Sequence, residues 1–447
     1  MTRTLRLIAA LAAWIVCGTA FAAPEAYVEE PTPPGFKVMI SPLDGPIYTT
    51  LEGKTLYTWP RAELRNGGTA DMKGAASACD DVKTTENAGL MSPYPAGLEL
   101  PELDTRPTCA QAWPAVIAAD DAQPVGKWTL IRRHDKRLQW AYDGLVLYTS
   151  SLDRQPGDTI GGSKIRHNGG DAPAARSPIG PRPDIPGQFV VEQNNNGRQL
   201  LLANSVTVYS FDGDAPNKSN CTETCAQQWK PVLAPEIGSL DRKDWSVVQR
   251  VSGERQWAYR SKPLYTFAGD SGPHIQEGLD VRGWHTVFTQ TAPAWPSSFT
   301  TQETPGGIVL ADASGHTIYI YNCGDDSLDQ LACDHPDTPQ EYRYAVCGGG
   351  DPVRCAKTFP YVVAGKDETS LNTVWTVIEI DPDTGHRAAP DQATTLRVWA
   401  YRDRPVYTFI RDVGPGTIRA QSWGEFYGAR NGYNAFWLRQ EMLGRII

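Results

Sequence analysis

The chain has 447 residues, 40% of them hydrophobic, and a formal net charge of −9 at pH 7. An acidic chain with no run of basic residues argues against nucleic acid or an anionic lipid surface as its partner. Its length predicts about three domains.

The first 22 residues predict a secretory signal peptide. Two arginines precede the apolar run at residues 7–16, and Ala20 and Ala22 in the segment Ala20-Phe21-Ala22 provide small side chains for cleavage. The run is too short to span a membrane. Cys17 is a poor lipidation site because Val16 before it is bulky. We therefore expect an exported chain, periplasmic or extracellular, that is cleaved after Ala22 and has no transmembrane span.

The tripeptide Trp-Ala-Tyr occurs three times, and a second tyrosine follows six residues after the first in each copy. The copies begin at Trp140, Trp257 and Trp399, and their tyrosine pairs are Tyr142/Tyr148, Tyr259/Tyr265 and Tyr401/Tyr407. Each copy also has an upstream tryptophan and a Cys-Ala stretch, which begins at Cys109, Cys225 or Cys355. Landmarks that recur in one order three times indicate three copies of one module.

Composition sets the limits of these modules. Residues 161–187 and 291–305 are rich in proline or glycine and lack apolar periodicity, which is typical of linkers. The predicted modules therefore occupy residues 34–160, 188–290 and 306–447.

Local patterns predict an all-β fold of three tandem modules rich in β-hairpins. Asp143-Gly144 between alternating apolar runs is a strong signal for a two-residue hairpin turn. The resulting register places Trp140 opposite Leu147 and predicts that the repeated tryptophans lie in the core.

Each module is also predicted to consist of two related half-repeats. A tyrosine followed five residues later by an aspartate closes four segments: Tyr148/Asp153, Tyr209/Asp214, Tyr265/Asp270 and Tyr407/Asp412. In the first halves of modules 1 and 3, Tyr57 has no aspartate at that distance and Asp325 follows Tyr319 one residue late. Six half-repeats also allow a single six-bladed propeller, but the linkers favour separate modules.

We expect these aspartates to accept backbone N–H groups and fix the turn after the strand. Calcium is the alternative, since carboxylate oxygens are its usual ligands. Residues 212–217 (DGDAPN) are similar to a calcium loop, but Pro216 stands at a ligand position.

The sequence of module 2 resembles the bacterial secreted-repeat family Lipoprotein_15, whose tandem copies carry a Tyr-x4-Asp motif. The resemblance rests on YSFDGDAPNKSNCTETCAQQWKPVLA, which begins at Tyr209, and on the QWAY and PLYTFAGD segments after it. It extends to the second halves of modules 1 and 3. The resemblance implies an envelope protein but gives no function, and this chain lacks the lipidation site of the lipoprotein members.

Removal of the signal peptide leaves eight of the nine cysteines, and an even count in an exported chain predicts disulfides. Equivalent positions in the modules predict four bridges: Cys221–Cys225, Cys79–Cys109, Cys333–Cys355 and Cys323–Cys347. The alternative is a redox or copper pair at Cys221 and Cys225, completed by a histidine such as His285.

The 14 tryptophans also allow a sugar-stacking surface. Trp295, Trp423 and Trp437 have no obvious counterpart in all modules and are the candidates for such a surface. The sequence contains no HExxH motif, no Gly-x-Ser-x-Gly elbow and no phosphate-binding loop.

The leading hypothesis is an exported bacterial envelope protein without enzymatic activity. It would bind an unknown envelope protein or small ligand, or serve as a scaffold. No catalytic residue or cofactor is predicted, and copper and calcium stay open alternatives. The competing hypotheses are a periplasmic redox or copper-handling protein and a carbohydrate-binding protein.

Overall fold

The computed structural model describes residues 23–58, 71–77, 79, 107–162, 177–236, 242–322, 335–425 and 431–440. The predicted signal peptide lies outside this part. The described residues form 26 short strands and four α-helices of at most eight residues, which confirms the predicted all-β class. None of these helices is long and apolar enough to cross a membrane.

Module 1 has one helical turn, α1 (Cys109–Ala112), and small antiparallel sheets. Its strands are β1 (Phe36–Ser41), β2 (Gly45–Thr50), β3 (Tyr57–Thr58), β4 (Trp128–Arg132), β5 (Leu138–Tyr142), β6 (Leu145–Val146) and β7 (Ser177–Pro178). The β5–β6 turn is formed by Asp143 and Gly144, both with positive φ, as the Asp-Gly signal predicts. Strand β7 pairs with β3. Part of the predicted linker 161–187 is therefore the last strand of module 1, because backbone pairing there needs no apolar periodicity.

Module 2 contains α2 (Thr224–Gln228) and one 3₁₀ turn (Glu277–Asp280). Its strands are β8 (Phe189–Asn194), β9 (Gly197–Leu202), β10 (Tyr209–Phe211), β11 (Trp229–Pro231), β12 (Trp245–Gln249), β13 (Arg255–Tyr259), β14 (Lys262–Pro263), β15 (Tyr265–Phe267), β16 (Trp284–Thr286) and β17 (Phe288–Thr291). The last strand, β17, pairs with β9 near the start of the module. Pairing of the two ends closes the module on itself.

Module 3 repeats this plan and adds a helical hairpin, α3 (Glu341–Gly348) and α4 (Pro352–Thr358). Its strands are β18 (Thr300–Thr304), β19 (Gly307–Ala311), β20 (Tyr319–Asn322), β21 (Trp375–Ile380), β22 (Leu396–Tyr401), β23 (Arg404–Pro405), β24 (Trp423–Glu425), β25 (Asn431–Ala435) and β26 (Trp437–Gln440). Strand β18 pairs with β19 although it begins inside the predicted linker 291–305.

The repeated hairpin separates two hydrophobic clusters in each module. In module 2, Trp257 and Leu264 lie in one cluster, and Tyr265, the next residue after Leu264, lies in the other. Trp140, Trp257 and Trp399 are all buried, so the prediction that they are core residues is confirmed. Both faces of the hairpin are covered because side chains alternate along a strand.

Polar contacts join the modules to one another. Gln290 at the end of module 2 donates to the carbonyl of Ser41 in module 1, over 2.7 Å. Asn195 of module 2 donates to the carbonyl of Trp437 in module 3, also over 2.7 Å. Leu43 from the β1–β2 turn packs into a hydrophobic cluster of module 3. Each module therefore has its own core and also touches both others.

The disulfides Cys79–Cys109 and Cys221–Cys225 are present, with Cα atoms 5.3 and 5.2 Å apart. Cys355, however, is bonded to Cys347. The predicted pairs Cys333–Cys355 and Cys323–Cys347 are therefore wrong, because α3 and α4 pack together and bring Cys347 beside Cys355 at a separation of only eight residues. Cys323 and Cys333 themselves lie outside the described residues.

Candidate functional site

The Tyr-x4-Asp residues meet at the centre of each module. The two motif tyrosines of module 2, Tyr209 and Tyr265, pair across antiparallel strands. The Tyr209 hydroxyl donates to Asp270 over 2.9 Å, and the Tyr265 hydroxyl donates to Asp214 over 2.7 Å. Each half of the module thus supplies the carboxylate for the tyrosine of the other half. The contacts between the two halves are therefore reciprocal.

Module 1 has the same arrangement, and module 3 has one of the two contacts among the described residues. Tyr57 donates to Asp153 over 2.8 Å, and Tyr319 donates to Asp412 over 2.7 Å. Tyr148 donates to Asp71 over 2.7 Å, so an aspartate fourteen residues after Tyr57 occupies the motif position. The aspartate that is absent at the usual distance from Tyr57 is therefore supplied by Asp71, because residues inserted before Asp71 lengthen the spacing. Asp325 lies outside the described residues.

In three of these carboxylates, the second oxygen accepts a hydrogen bond from the backbone of the loop that follows the aspartate. The Oδ1 atoms of Asp153, Asp214 and Asp412 accept backbone N–H groups six to eight residues further on, which confirms the predicted turn-fixing role. Burial raises the pKa of Asp153 to about 7 and that of Asp270 to about 6. Shifted carboxyl groups occur in catalytic sites. Here the oxygens of Asp153 are already bonded within the protein, so the shift reflects structural burial.

The alternative copper site is not assembled. Cys221 and Cys225 are bonded to each other, and the His285 ring instead contacts Asp212 at 2.7 Å on the exposed side of the sheet. The calcium alternative placed its ligands in residues 212–217. Asp214 of this loop instead accepts hydrogen bonds from Tyr265 and from a backbone N–H. The residues of both alternatives are thus engaged in contacts within the protein.

The three candidate tryptophans do not form one surface. Trp437 is buried, so its prediction as a surface residue is wrong. Trp437 in β26 pairs with Val309 of β19, as Phe288 in β17 pairs with Gln199 of β9, so the two residues are equivalent. Trp423 is half-buried and donates its indole N–H to the carbonyl of Val346. Trp295 is 36% exposed.

One group of potential metal ligands was missed in the sequence. His335, Asp337 and Asp403 place ligand atoms within 4.8 Å of one another, the one such group among the described residues. Two guanidinium groups already neutralise the carboxylates. Arg387 contacts Asp337 at 2.9 Å and Asp403 at 2.6 Å, and Arg154 of module 1 contacts Asp337.

The His335 ring completes this network as a neutral group. Its Nδ1 accepts the backbone N–H of Asp337 over 3.2 Å, so the proton sits on Nε2, which contacts Asp403 at 3.2 Å. Burial lowers the pKa of His335. Two anions, two cations and a neutral ring balance without a metal, and the network joins module 1 to module 3. No sequence signal pointed to it, because Arg154, the His335–Asp337 segment, Arg387 and Asp403 come from separate parts of the chain.

The comparisons with known proteins concern module 2. No curated protein and no solved structure matches the chain. The model of the Lipoprotein_15 family, described as a secreted repeat of unknown function, matches residues 190–233 and 246–287. These two segments coincide with the predicted half-repeats, and the description supports export of the chain. Two consecutive segments of module 2 are thus similar to the Lipoprotein_15 secreted repeat.

Proposed function

We propose that this protein is a bacterial envelope protein, periplasmic or extracellular, that binds a partner or acts as a scaffold and catalyses no reaction. The main support for the proposal is that each motif tyrosine of modules 1 and 2 is hydrogen-bonded to the motif aspartate of the other half-repeat. In module 2, Tyr209, Tyr265, Asp214 and Asp270 satisfy one another across the two halves. The most conspicuous polar residues of the repeat are thereby used for architecture, which favours recognition by segments that the modules do not share.

The disulfide-closed loop of module 1 is the first such segment. Cys79 and Cys109 hold equivalent positions to Cys221 and Cys225, but their separation is 30 residues instead of four. A long insertion at a fixed pair of anchors costs little in loop entropy, and loops on rigid scaffolds often carry binding residues. The sequence insertions after Tyr57 and after Tyr321, and the C-terminal residues, are the other candidates.

A loop replacement tests this proposal. Residues 80–107 are exchanged for the Thr-Glu that follows Cys221 in module 2, which retains Thr108 as the N-cap of α1. The nearly equal Cα separations of the two disulfides indicate that the short connection fits. In native cells, chemical cross-linking followed by mass spectrometry should recover a specific partner with the parent protein and lose it with the replacement.

A substitution at Val251, which is 99% exposed in a turn of module 2, serves as the control and should leave the cross-links unchanged. The proposal fails if replacement of this loop and of the other insertions leaves every cross-linked partner in place. A turnover activity that one substitution outside the core abolishes would also refute it.

A further inference from the structure

A buried arginine at the junction of modules 1 and 3 forms no ion pair with a carboxylate of the described residues. Arg402 lies in the turn between β22 and β23 and is 5% exposed. Its guanidinium donates to the carbonyl of Thr159 in module 1 over 2.5 Å and reaches the Thr159 hydroxyl at 3.4 Å. Within the described part of the chain, no ion pair involves Arg402.

Module 2 has a carboxylate beside the equivalent arginine. Arg260 is the equivalent residue, since Tyr259 pairs with Trp245 as Tyr401 pairs with Trp375. The Arg260 guanidinium contacts the Asp244 carboxylate at 3.1 Å. Asp244, which precedes Trp245, is thus the ion partner of the arginine in that module.

Module 3 has a valine where module 2 has this carboxylate. The backbone N–H of Arg260 donates to the carbonyl of Asp244, and that of Arg402 donates to the carbonyl of Val374. The two turns therefore have the same backbone contact, and Val374 replaces Asp244 in it. The substitution removes the negative charge while Arg402 becomes more buried than Arg260, whose side chain is 29% exposed.

A small cavity lies next to this unpaired charge. It has a volume of about 20 Å³, enough for one water molecule or monatomic ion. Its lining consists of Arg402, Val374 and Thr373 of module 3, the β1–β2 turn of module 1 around Leu43, and residues 157–160 of module 1, which include Asp158 and Thr159. The cavity is far below the size of an ordinary small-molecule site, which is about 300 Å³ or more.

The neighbouring carboxylates are committed elsewhere. Asp44 accepts the Ser41 hydroxyl over 3.0 Å. Asp153 interacts with the Arg402 charge, but its oxygens are bonded to Tyr57 and to the backbone of Gly161. Asp158 lines the cavity, and its Oδ2 accepts the backbone N–H groups of Arg154 and Gln155. A buried cation without a counter-ion is costly. The Thr159 hydroxyl accepts from Arg402 and can direct its own hydrogen toward the cavity, as a second donor.

We propose that this cavity binds one small monovalent anion, of the chloride class, in place of the carboxylate that module 2 provides with Asp244. The anion neutralises Arg402 and so strengthens the contact between modules 1 and 3. Its binding gives the protein a stability that depends on the identity of the anion in the medium, beyond general screening by salt.

Bromide is the probe for the location of the site. Crystals of the full mature chain soaked in sodium bromide should show an anomalous peak within hydrogen-bond distance of the Arg402 guanidinium. Val374→Asp supplies the missing carboxylate and should abolish this peak. A water molecule at the position in the parent protein overturns the proposal.

Thermal unfolding tests binding in solution. At constant ionic strength, exchange of gluconate for chloride should raise the midpoint by about 2 °C or more and then saturate. Arg402→Met and Val374→Asp should both lose this dependence, while Lys262→Met, at an exposed cation on the matching hairpin of module 2, should keep it. A bromide peak without any effect of chloride on the midpoint means binding at crystal concentration only and also overturns the proposal.

Discussion

The hydrogen bond between Tyr209 and Asp270 should contribute substantially to the stability of module 2. Tyr209 is completely buried, and its hydroxyl lies 2.9 Å from Asp270 Oδ2. Tyr209→Phe keeps the ring but removes this donor from a carboxylate that is largely ionised above pH 7. A hydrogen bond to a charged group is worth about 1.5–3 kcal/mol, so we expect a loss of about 2 kcal/mol.

Hydrogen exchange read by mass spectrometry measures this loss locally, which matters because a chain of several modules need not unfold in one step. Amides of β10 and β15 should exchange about 30-fold faster in the variant. Tyr401→Phe is the matched control. Tyr401 is also buried, but its hydroxyl has no hydrogen-bond partner among the described residues.

The Tyr401→Phe control should leave exchange in module 3 nearly unchanged, because removal of an unpaired hydroxyl costs little. An increase of less than about threefold for Tyr209→Phe would refute the structural role of the motif. In a double-mutant cycle with Asp270→Asn, the double variant should lose less stability than the sum of the losses in the two single variants, since both substitutions remove the same hydrogen bond.

Two further predictions concern pH and disulfides. Because burial raises the pKa of Asp153 to about 7, the folded state binds this proton more tightly than the unfolded chain, and the resulting stability is present near pH 4 and lost as pH rises through 7. Asp153→Asn should therefore lower the thermal midpoint, relative to that of the parent protein, by less at pH 8 than at pH 5. A larger deficit of the variant at pH 8 would contradict the raised pKa. Removal of Cys79–Cys109 should cost about 3.7 kcal/mol and removal of Cys221–Cys225 about 2 kcal/mol in urea unfolding, and equal losses would argue against the entropic explanation.

The register of the repeated hairpin was predictable because its determinants are local. Asp143 and Gly144 select the turn, and the turn fixes which residues of β5 and β6 are opposite each other. The same two-residue period explains why Trp140, Trp257 and Trp399 were correctly expected in the interior. The half-repeats of module 2 were also visible, since no long insertion separates Tyr209 from Asp214 or Tyr265 from Asp270.

Predictions failed where the answer depended on residues far apart in the chain. The partner of Cys355 is set by the packing of α3 on α4, and the sequence alone suggested the wrong cysteine. Asp71 could not be recognised because the insertion after Tyr57 moves it out of the motif spacing. Trp437 was misplaced because the pairing of the module ends, which buries it, has no local signal.

The sequence by itself determined that the chain is built from repeated β modules, because strand periodicity, turn residues and the spacing of landmarks are properties of short segments. Only the tertiary structure decided how the repeats are used. It pairs the tyrosine of one half-repeat with the aspartate of the other, joins Arg154 to Asp337 across two modules, and places Arg402 beside Val374 in a small cavity. These arrangements arise from burial and from contacts between distant residues, which change the charge balance of a side chain without changing the sequence pattern around it.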